Sequence, residues 1–200
     1  LTAREGTPLW EVSLGGRCLP PLVDGENVFV AMEDGRVLSI DGSSGQTRWG
    51  KQLPQQASGG IGGGSNKPGR YVLGDHSNLY VLSRNDGSCS QVYYLGHSVG
   101  TIAVPPIFAL GQIILFENEG PGYCKLHVLK TDEQGTNLEP AQTVIRLKGH
   151  VVVPPAIDGR RMVVMTDLGE VVAYDIEPAS AGDKLTRLAT IVANDSASLR

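Results

Sequence analysis

Charge is scarce in this chain, and aromatic rings are scarcer: charged residues make up 19% and aromatic residues 6% of its 200 residues. The balance, 17 Lys and Arg against 21 Asp and Glu, is mildly acidic. No basic surface is on offer to attract phosphates, and nucleic acid drops out as a partner. Hydrophobic residues at 40% with so little charge also exclude a disordered chain and a coiled coil. Long apolar runs are missing. The best stretch, Thr101 to Phe116, is interrupted by Pro105, Pro106, Gly111 and Gln112, whereas a membrane-spanning helix needs about 18 uninterrupted residues. Cysteine occurs three times, at Cys18, Cys89 and Cys124, with no CxxC pair and no ligand spacing toward His76, His97, His127 or His150. That excludes a zinc site as an expectation. The thiols read as small buried hydrophobes. A single bridge plus one free thiol stays open, and an odd count does not fit a disulfide framework.

What the chain has in abundance is glycine, 26 residues, and proline, 12 residues, and both recur in register. Pro20-Pro21, Pro105-Pro106 and Pro154-Pro155 are each followed, nine residues after the second proline, by the centre of an apolar run at Val30, Leu115 and Val164. Gly63 precedes Val72 by the same interval, which makes a fourth copy. Each copy continues with a glycine-bearing turn, at Asp24-Gly25, Pro68-Gly69, Leu110-Gly111 and Asp158-Gly159. The predicted strands that follow are Asn27 to Ala31, Arg70 to Leu73, Gln112 to Phe116 and Arg161 to Met165. Second turns fall at Asp34-Gly35, Ser77-Asn78, Gly120-Pro121-Gly122 and Leu168-Gly169, and third strands at 37–40, 79–82, 126–129 and 171–174.

Equivalent positions Ser39, Val81, Val128 and Ala173 are separated by 42, 47 and 45 residues. A period in the forties with about four short strands per unit predicts a β-propeller blade. Third turns at Gly45, Gly87, Gly135 and Gly182 lead to outer strands at Gln91 to Leu95, Thr143 to Leu147 and Leu185 to Val192. No segment is long or periodic enough for a helix. The expected class is all-β, with four-stranded antiparallel blades over residues 15–53, 54–96, 97–147 and 148–195. Residues 1–14 read as the outer strand of a preceding blade, because aligning Trp10 with Trp49 sets Gly6 on Gly45. Ile113-Ile114 and Val163-Val164 are expected to be covered on both faces, as in strands between packed sheets.

The run from Pro21 to Trp49 resembles the repeat of pyrroloquinoline-quinone-type propellers, and of the BamB-type outer-membrane assembly lipoproteins that share it without the quinone. Ser39, Asp41, Ser44, Gly45 and Trp49 match that family's tryptophan-docking pattern of Ala, Asp, Thr, Gly and Trp. Asp41, Ser44, Gly45 and Trp49 are therefore expected to form a structural docking motif. Gly45 permits the turn, Asp41 accepts its N–H groups, and Trp49 wedges against the neighbouring blade. In later copies Tyr94, Leu147 or Leu188 stands roughly where Trp49 does. Such families have seven or eight blades, so the resemblance implies that this chain is a portion of a larger ring. Trp10 and Trp49 should be mostly buried.

The remaining candidates for chemistry are weaker. Gly59 to Ser65 lacks the Lys-Ser/Thr ending and following helix of a phosphate loop, and reads as a degenerate inner strand or loop. Asp24, Asp34, Asp41, Asp158 and Asp167 lie in or beside turns and read as turn stabilisers. No DxDxDG calcium loop, GxSxG elbow or vicinal Cys pair is present. His97 and His150 fall at different repeat positions, against a two-His metal site. No catalytic, cofactor-binding or metal residue is expected, and no cofactor. The BamB-type resemblance implies a non-catalytic scaffold that binds other proteins through loops or open blade edges on the exported, periplasmic or extracellular side of a bacterial envelope. Self-association is a further expectation. The competing class is part of a quinone-dependent dehydrogenase or a small-ligand sensor. The segments 132–143 and 59–69 are expected contact loops.

Overall fold

The computed structural model describes residues 6–64, 68–74, 78–95, 101–132, 134 and 136–192. Sixteen strands arise in chain order among them, and every strand pair is antiparallel. Sheet one is β1 (Leu22–Asp24), β2 (Asn27–Ala31), β3 (Arg36–Asp41) and β4 (Thr47–Gln52), in that spatial order. Sheet two is β5 (Gly69–Leu73), β6 (Asn78–Ser83) and β7 (Cys89–Tyr94). Sheet three is β8 (Ile107–Ala109), β9 (Gln112–Glu119) and β10 (Tyr123–Thr131), with β11 (Leu138–Pro140) and β12 (Ile145–Lys148) both paired to β10. Sheet four is β13 (Ala156–Asp158), β14 (Arg161–Met165), β15 (Glu170–Ile176) and β16 (Leu185–Val192).

The Pro-Pro pairs stand just before β1, β8 and β13, the short strands at one edge of their sheets. Proline has no N–H for a ladder and is tolerated at such an edge. In sheet two the glycine-rich segment takes that edge without forming a strand. Among the described residues Gly62 makes an isolated bridge to Tyr71, and Ala57 just before the run makes another to Gly74. Chains of glycine and serine have little side-chain surface to pack, which accounts for the thin ladder.

The sheets stack face to face in chain order. Phe29, Ala31 and Val37 of sheet one pack with Val72, Tyr80 and Leu82 of sheet two. Tyr71, Leu79 and Val81 meet Ile113, Leu115 and Leu129 of sheet three. Phe116, Leu126 and Val128 meet Met162, Val164, Val172 and Tyr174 of sheet four. The central strands β2, β3, β6, β9 and β10 are largely buried, β14 alternates between exposed and buried residues, and the outer strands β4, β7 and β16 are mostly exposed.

Several expectations are corrected. Asp24 and Asp158 close strands β1 and β13, and the two-residue hairpin loops are Gly25-Glu26 and Gly159-Arg160. The segment 132–143 is not all loop: buried Leu138 draws Leu138–Pro140 onto β10 as a strand. Cys124 alone is buried, while Cys18 and Cys89 are exposed, and all three thiols are free; Cys89 opens the outer strand β7, where little covers it. Val163 is exposed although Val164 is fully buried, because no described residue covers that face of sheet four. Trp10 and Trp49 are half-buried, since each indole lies across the rim of a turn instead of inside a sheet stack. Residues 6–14 form no strand. His76, His97 and Gly135 lie outside the described residues.

Candidate inter-sheet docking sites and interaction surface

The turn between β3 and β4 is built on one carboxylate. Asp41 accepts the Ser43 hydroxyl at 2.6 Å, the Ser43 and Ser44 N–H groups at 2.9 Å each, and the Ser44 hydroxyl at 3.1 Å. Arg48 also pairs with it through Nη2, and through Nε at 3.2 Å. The Ser43 hydroxyl, then Arg48 and the Ser44 amide, hold this carboxyl far below the usual carboxylate range. Gly45 closes the turn at φ +75°, and a Cβ there would stand 2.8 Å from the Trp10 ring. The Trp10 indole lies over this bare backbone and donates Nε1–H to the Gly42 carbonyl at 2.8 Å.

Trp49 repeats that geometry one sheet further on. Its Nε1–H donates to the Arg84 carbonyl at 3.0 Å, and Gly87, at φ +68°, would place a Cβ 2.6 Å from the ring. Each indole so buries one face against the next turn while its polar edge satisfies a carbonyl, the usual requirement for a half-buried tryptophan. Trp49 also reaches the core through Phe29, at 6.0 Å between ring centroids.

At the later boundaries side-chain amides do this work. Across the strand pair Ser39 faces Trp49, Val81 faces Gln91 and Ala173 faces Ala189. The residues standing where Trp49 does are thus Gln91 and Ala189, not Tyr94 or Leu188, because a bulge beside Val81 and another beside Ala173 set the register. In sheet three the outer strand is broken between β11 and β12, so Leu147 pairs with Cys124, away from the turn. Gln91 accepts the Leu138 N–H and donates to the Leu138 carbonyl. Asn118 holds Val151 in the same two-point manner, accepting its N–H at 2.9 Å and donating to its carbonyl at 3.0 Å. Gln142 accepts the N–H groups of Lys184 and Leu185 at 2.8 and 2.7 Å.

Asp24, read from the sequence as a turn stabiliser, instead links two sheets. It pairs with Arg70 Nη2 and, at 3.1 Å, with Arg84 Nε. Arg70 is fully buried, stacks 4.5 Å over the Phe29 ring and donates to the Gly69 carbonyl at 2.7 Å. Burial pulls the Arg70 pKa down from its ordinary value, and Asp24 opposes the shift. Asp34 does serve its turn, accepting the Arg36 N–H at 3.0 Å, whereas Asp167 reaches away from its own turn to accept the His150 N–H at 2.6 Å. Among the described residues no group of three or more His, Cys, Asp or Glu is placed to hold a metal ion.

The far face of sheet four is an apolar surface. Met165 faces Val171, which faces Ile191, and Val163 faces Ala173, which faces Ala189. Val163, Met165 and Ile191 are 37%, 52% and 56% exposed, whereas Met162, Val164 and Val172 on the opposite face are fully buried against sheet three. A contiguous exposed apolar patch of this kind marks an interaction surface.

Antiparallel sheets of three to five strands, stacked face to face in chain order and joined to one another by side chains such as Trp49, Gln91 and Gln142, are the blades of a β-propeller. The fold matches the WD40 domain of Toxoplasma gondii coronin with a TM-score of 0.66 at 10% identity, over 88% of this chain and 46% of that one. The chain belongs to the family of the outer membrane protein assembly factor BamB, whose model matches residues 1–114. BamB of Nitrosomonas eutropha is 35% identical over 111 residues, 54% of this chain and 26% of that protein. The crystal structure of BamB from Moraxella catarrhalis superposes with a TM-score of 0.63 at 15% identity, covering 84% of this chain and 49% of that one. The aligned part of the chain thus spans about a quarter of that curated relative and about half of the crystallised one.

Proposed function

We propose that this chain is part of a non-catalytic propeller that holds other proteins together during outer-membrane assembly, facing the periplasm. The observation that supports this reading is the family membership of residues 1–114. The geometry supports it: Trp49, Asp24, Gln91 and Gln142 link neighbouring sheets, while Asp41, Ser44 and Gly45 shape the turn on which Trp10 lies. We assign the four residues of the first group the role of a docking motif. The test is expression of the full-length protein in a bacterium lacking its own BamB. Restored outer-membrane protein levels, with no saturable pyrroloquinoline quinone binding in the presence of calcium, support the reading. Failure to restore them, or quinone titration with dye reduction, overturns it in favour of a dehydrogenase.

The same reading gives the uncovered face of sheet four an occupant, a further blade of the same kind in a ring of seven or eight. The 200-residue chain alone should then associate through that face. Sedimentation of a stable monomer at micromolar concentration would sink this part of the proposal.

A further inference from the structure

Between sheets one and two lies a cleft of about 260 Å³ lined by Asn27, Ser39, Arg48, Arg84 and Asn85. Every one of these side chains carries a hydrogen-bond donor, and none is acidic. The volume is several times the roughly 30 Å³ that one water occupies in the liquid, which suits a small polyatomic group.

Ser39 supplies the second observation. Its residue is fully buried, yet its hydroxyl has no hydrogen-bond partner among the described residues. A buried polar group left in that state costs free energy. Ser39 is one of the residues that line the cleft, so an occupant of the cleft is a partner within reach of this residue. The charges are arranged to the same end. Arg48 is anchored by Asp41, with Glu26 at 3.8 Å, and Arg84 is anchored by Asp24 at 3.1 Å. Those acids hold the guanidinium groups in place without lining the cleft themselves. Each guanidinium has five N–H donors in a planar fork, and these ion pairs engage only part of each.

We propose that this cleft binds an oxyanion, received by the Ser39 hydroxyl, the Arg48 and Arg84 guanidinium groups and the amides of Asn27 and Asn85. A carboxylate from an acidic side chain or a chain end and a free phosphate share that chemistry. The site stands independently of the assembly reading, because its donors are this chain's own.

The test measures thermal midpoint and calorimetric binding with acetate, with inorganic phosphate, and with a short peptide bearing either a free C-terminal carboxylate or an amide. Sodium chloride keeps the ionic strength constant throughout. The variant is Ser39→Ala, which removes only the hydroxyl and leaves both ion pairs intact. Saturable binding by at least one oxyanion is expected, with affinity falling about tenfold in the variant, as loss of a hydrogen bond to a charged group implies. Without added oxyanion the variant should melt at the same temperature as the parent or higher, since it no longer buries an unsatisfied hydroxyl. Binding by acetate or the free-acid peptide alone identifies a carboxylate; binding by phosphate alone identifies the inorganic ion. No effect beyond that of chloride, or the same effect in the variant, overturns the proposal and leaves a water-filled cleft.

Discussion

Gln91 holds Leu138 by both of its backbone polar groups: Oε1 accepts the Leu138 N–H at 2.5 Å and Nε2 donates to the Leu138 carbonyl at 3.3 Å. Leu138 is buried, so water does not readily take over either partner. Gln91→Ala should therefore cost about 1–3 kcal/mol, the penalty for stranding a buried backbone group. Urea denaturation of parent and variant measures it. A change inside about 0.5 kcal/mol, typical of an ordinary surface position, would mean that the two-point grip contributes nothing.

Gly87 and Trp49 make a steric prediction. Gly87→Ala meets two costs, a left-handed backbone of roughly 1–2 kcal/mol and a Cβ placed 2.6 Å from the Trp49 ring. Gly159 has a similar φ, +55°, with no described residue within 4 Å of the point where a Cβ would stand. Gly159→Ala should thus show the backbone cost alone, and Gly87→Ala about 1–3 kcal/mol more, the range for forced overpacking. Tryptophan fluorescence should shift in the Gly87 variant and not in the Gly159 variant. Equal costs at both positions would remove the docking contact from the account.

Much of the strand plan was legible because turn chemistry is local. The expected strands 27–31, 161–165 and 185–192 coincide with those observed. The inter-sheet contacts were legible only where they use an unusual residue: Trp49 stands out in a sequence, whereas Gln91, Asn118 and Gln142 look like any solvated amide. Asp24 meets Arg70 across 46 positions, and no local pattern announces such a pair. Leu138–Pro140 is three residues long and ends in proline, too short for a period-two signal. The exposure of Val163 depends on what covers the sheet, which the run Val163-Val164 does not encode.

The cysteines should separate by reactivity. Burial pushes the Cys124 thiol up to about 12 and also raises Cys89, which is nevertheless exposed, like Cys18. The thiolate is the reactive form. A colorimetric thiol reagent at pH 8 should label Cys18 and Cys89 in the native protein, with Cys18 the faster, and Cys124 only after denaturation. Rapid native labelling of Cys124 would contradict the packing of sheets three and four.

Acid should weaken two turns over a defined window. The Ser83 hydroxyl and the Ser88 amide hold the Asp86 carboxyl at about 2, and the Thr136 hydroxyl holds that of Asp132 at about 2. Both pKa values lie below the ordinary 3.8, so each turn stabilises the folded state fully above about pH 4. The contribution is lost as pH falls from about 4 toward 2. Denaturation midpoints should be flat from pH 6 to 5 and fall below 4, and Asp86→Asn with Asp132→Asn should shallow that fall. An unchanged slope in the double variant would locate the acid sensitivity elsewhere.

The heaviest single-residue penalty should fall on the pair of Asp24 and Arg70. Arg70 is the largest fully buried side chain among the described residues, and it is charged. Its desolvation is offset by Asp24, by the Gly69 carbonyl and by the Phe29 ring. Asp24→Asn keeps the shape and removes the counter-charge, leaving two guanidinium groups, Arg70 and Arg84, facing a neutral amide. Breaking a buried pair from one side costs about 3–5 kcal/mol, a large share of the roughly 5–15 kcal/mol that holds a domain folded. Arg70→Met alone removes the buried cation and fills similar volume, but leaves Asp24 with Arg84 on the outer side, so its cost should be smaller. The double variant Asp24→Asn with Arg70→Met should then lie well above the sum of the singles in stability, a coupling of at least about 1 kcal/mol. Urea denaturation of the four proteins closes the cycle. Simple additivity would show that the two side chains are held by their surroundings and not by each other.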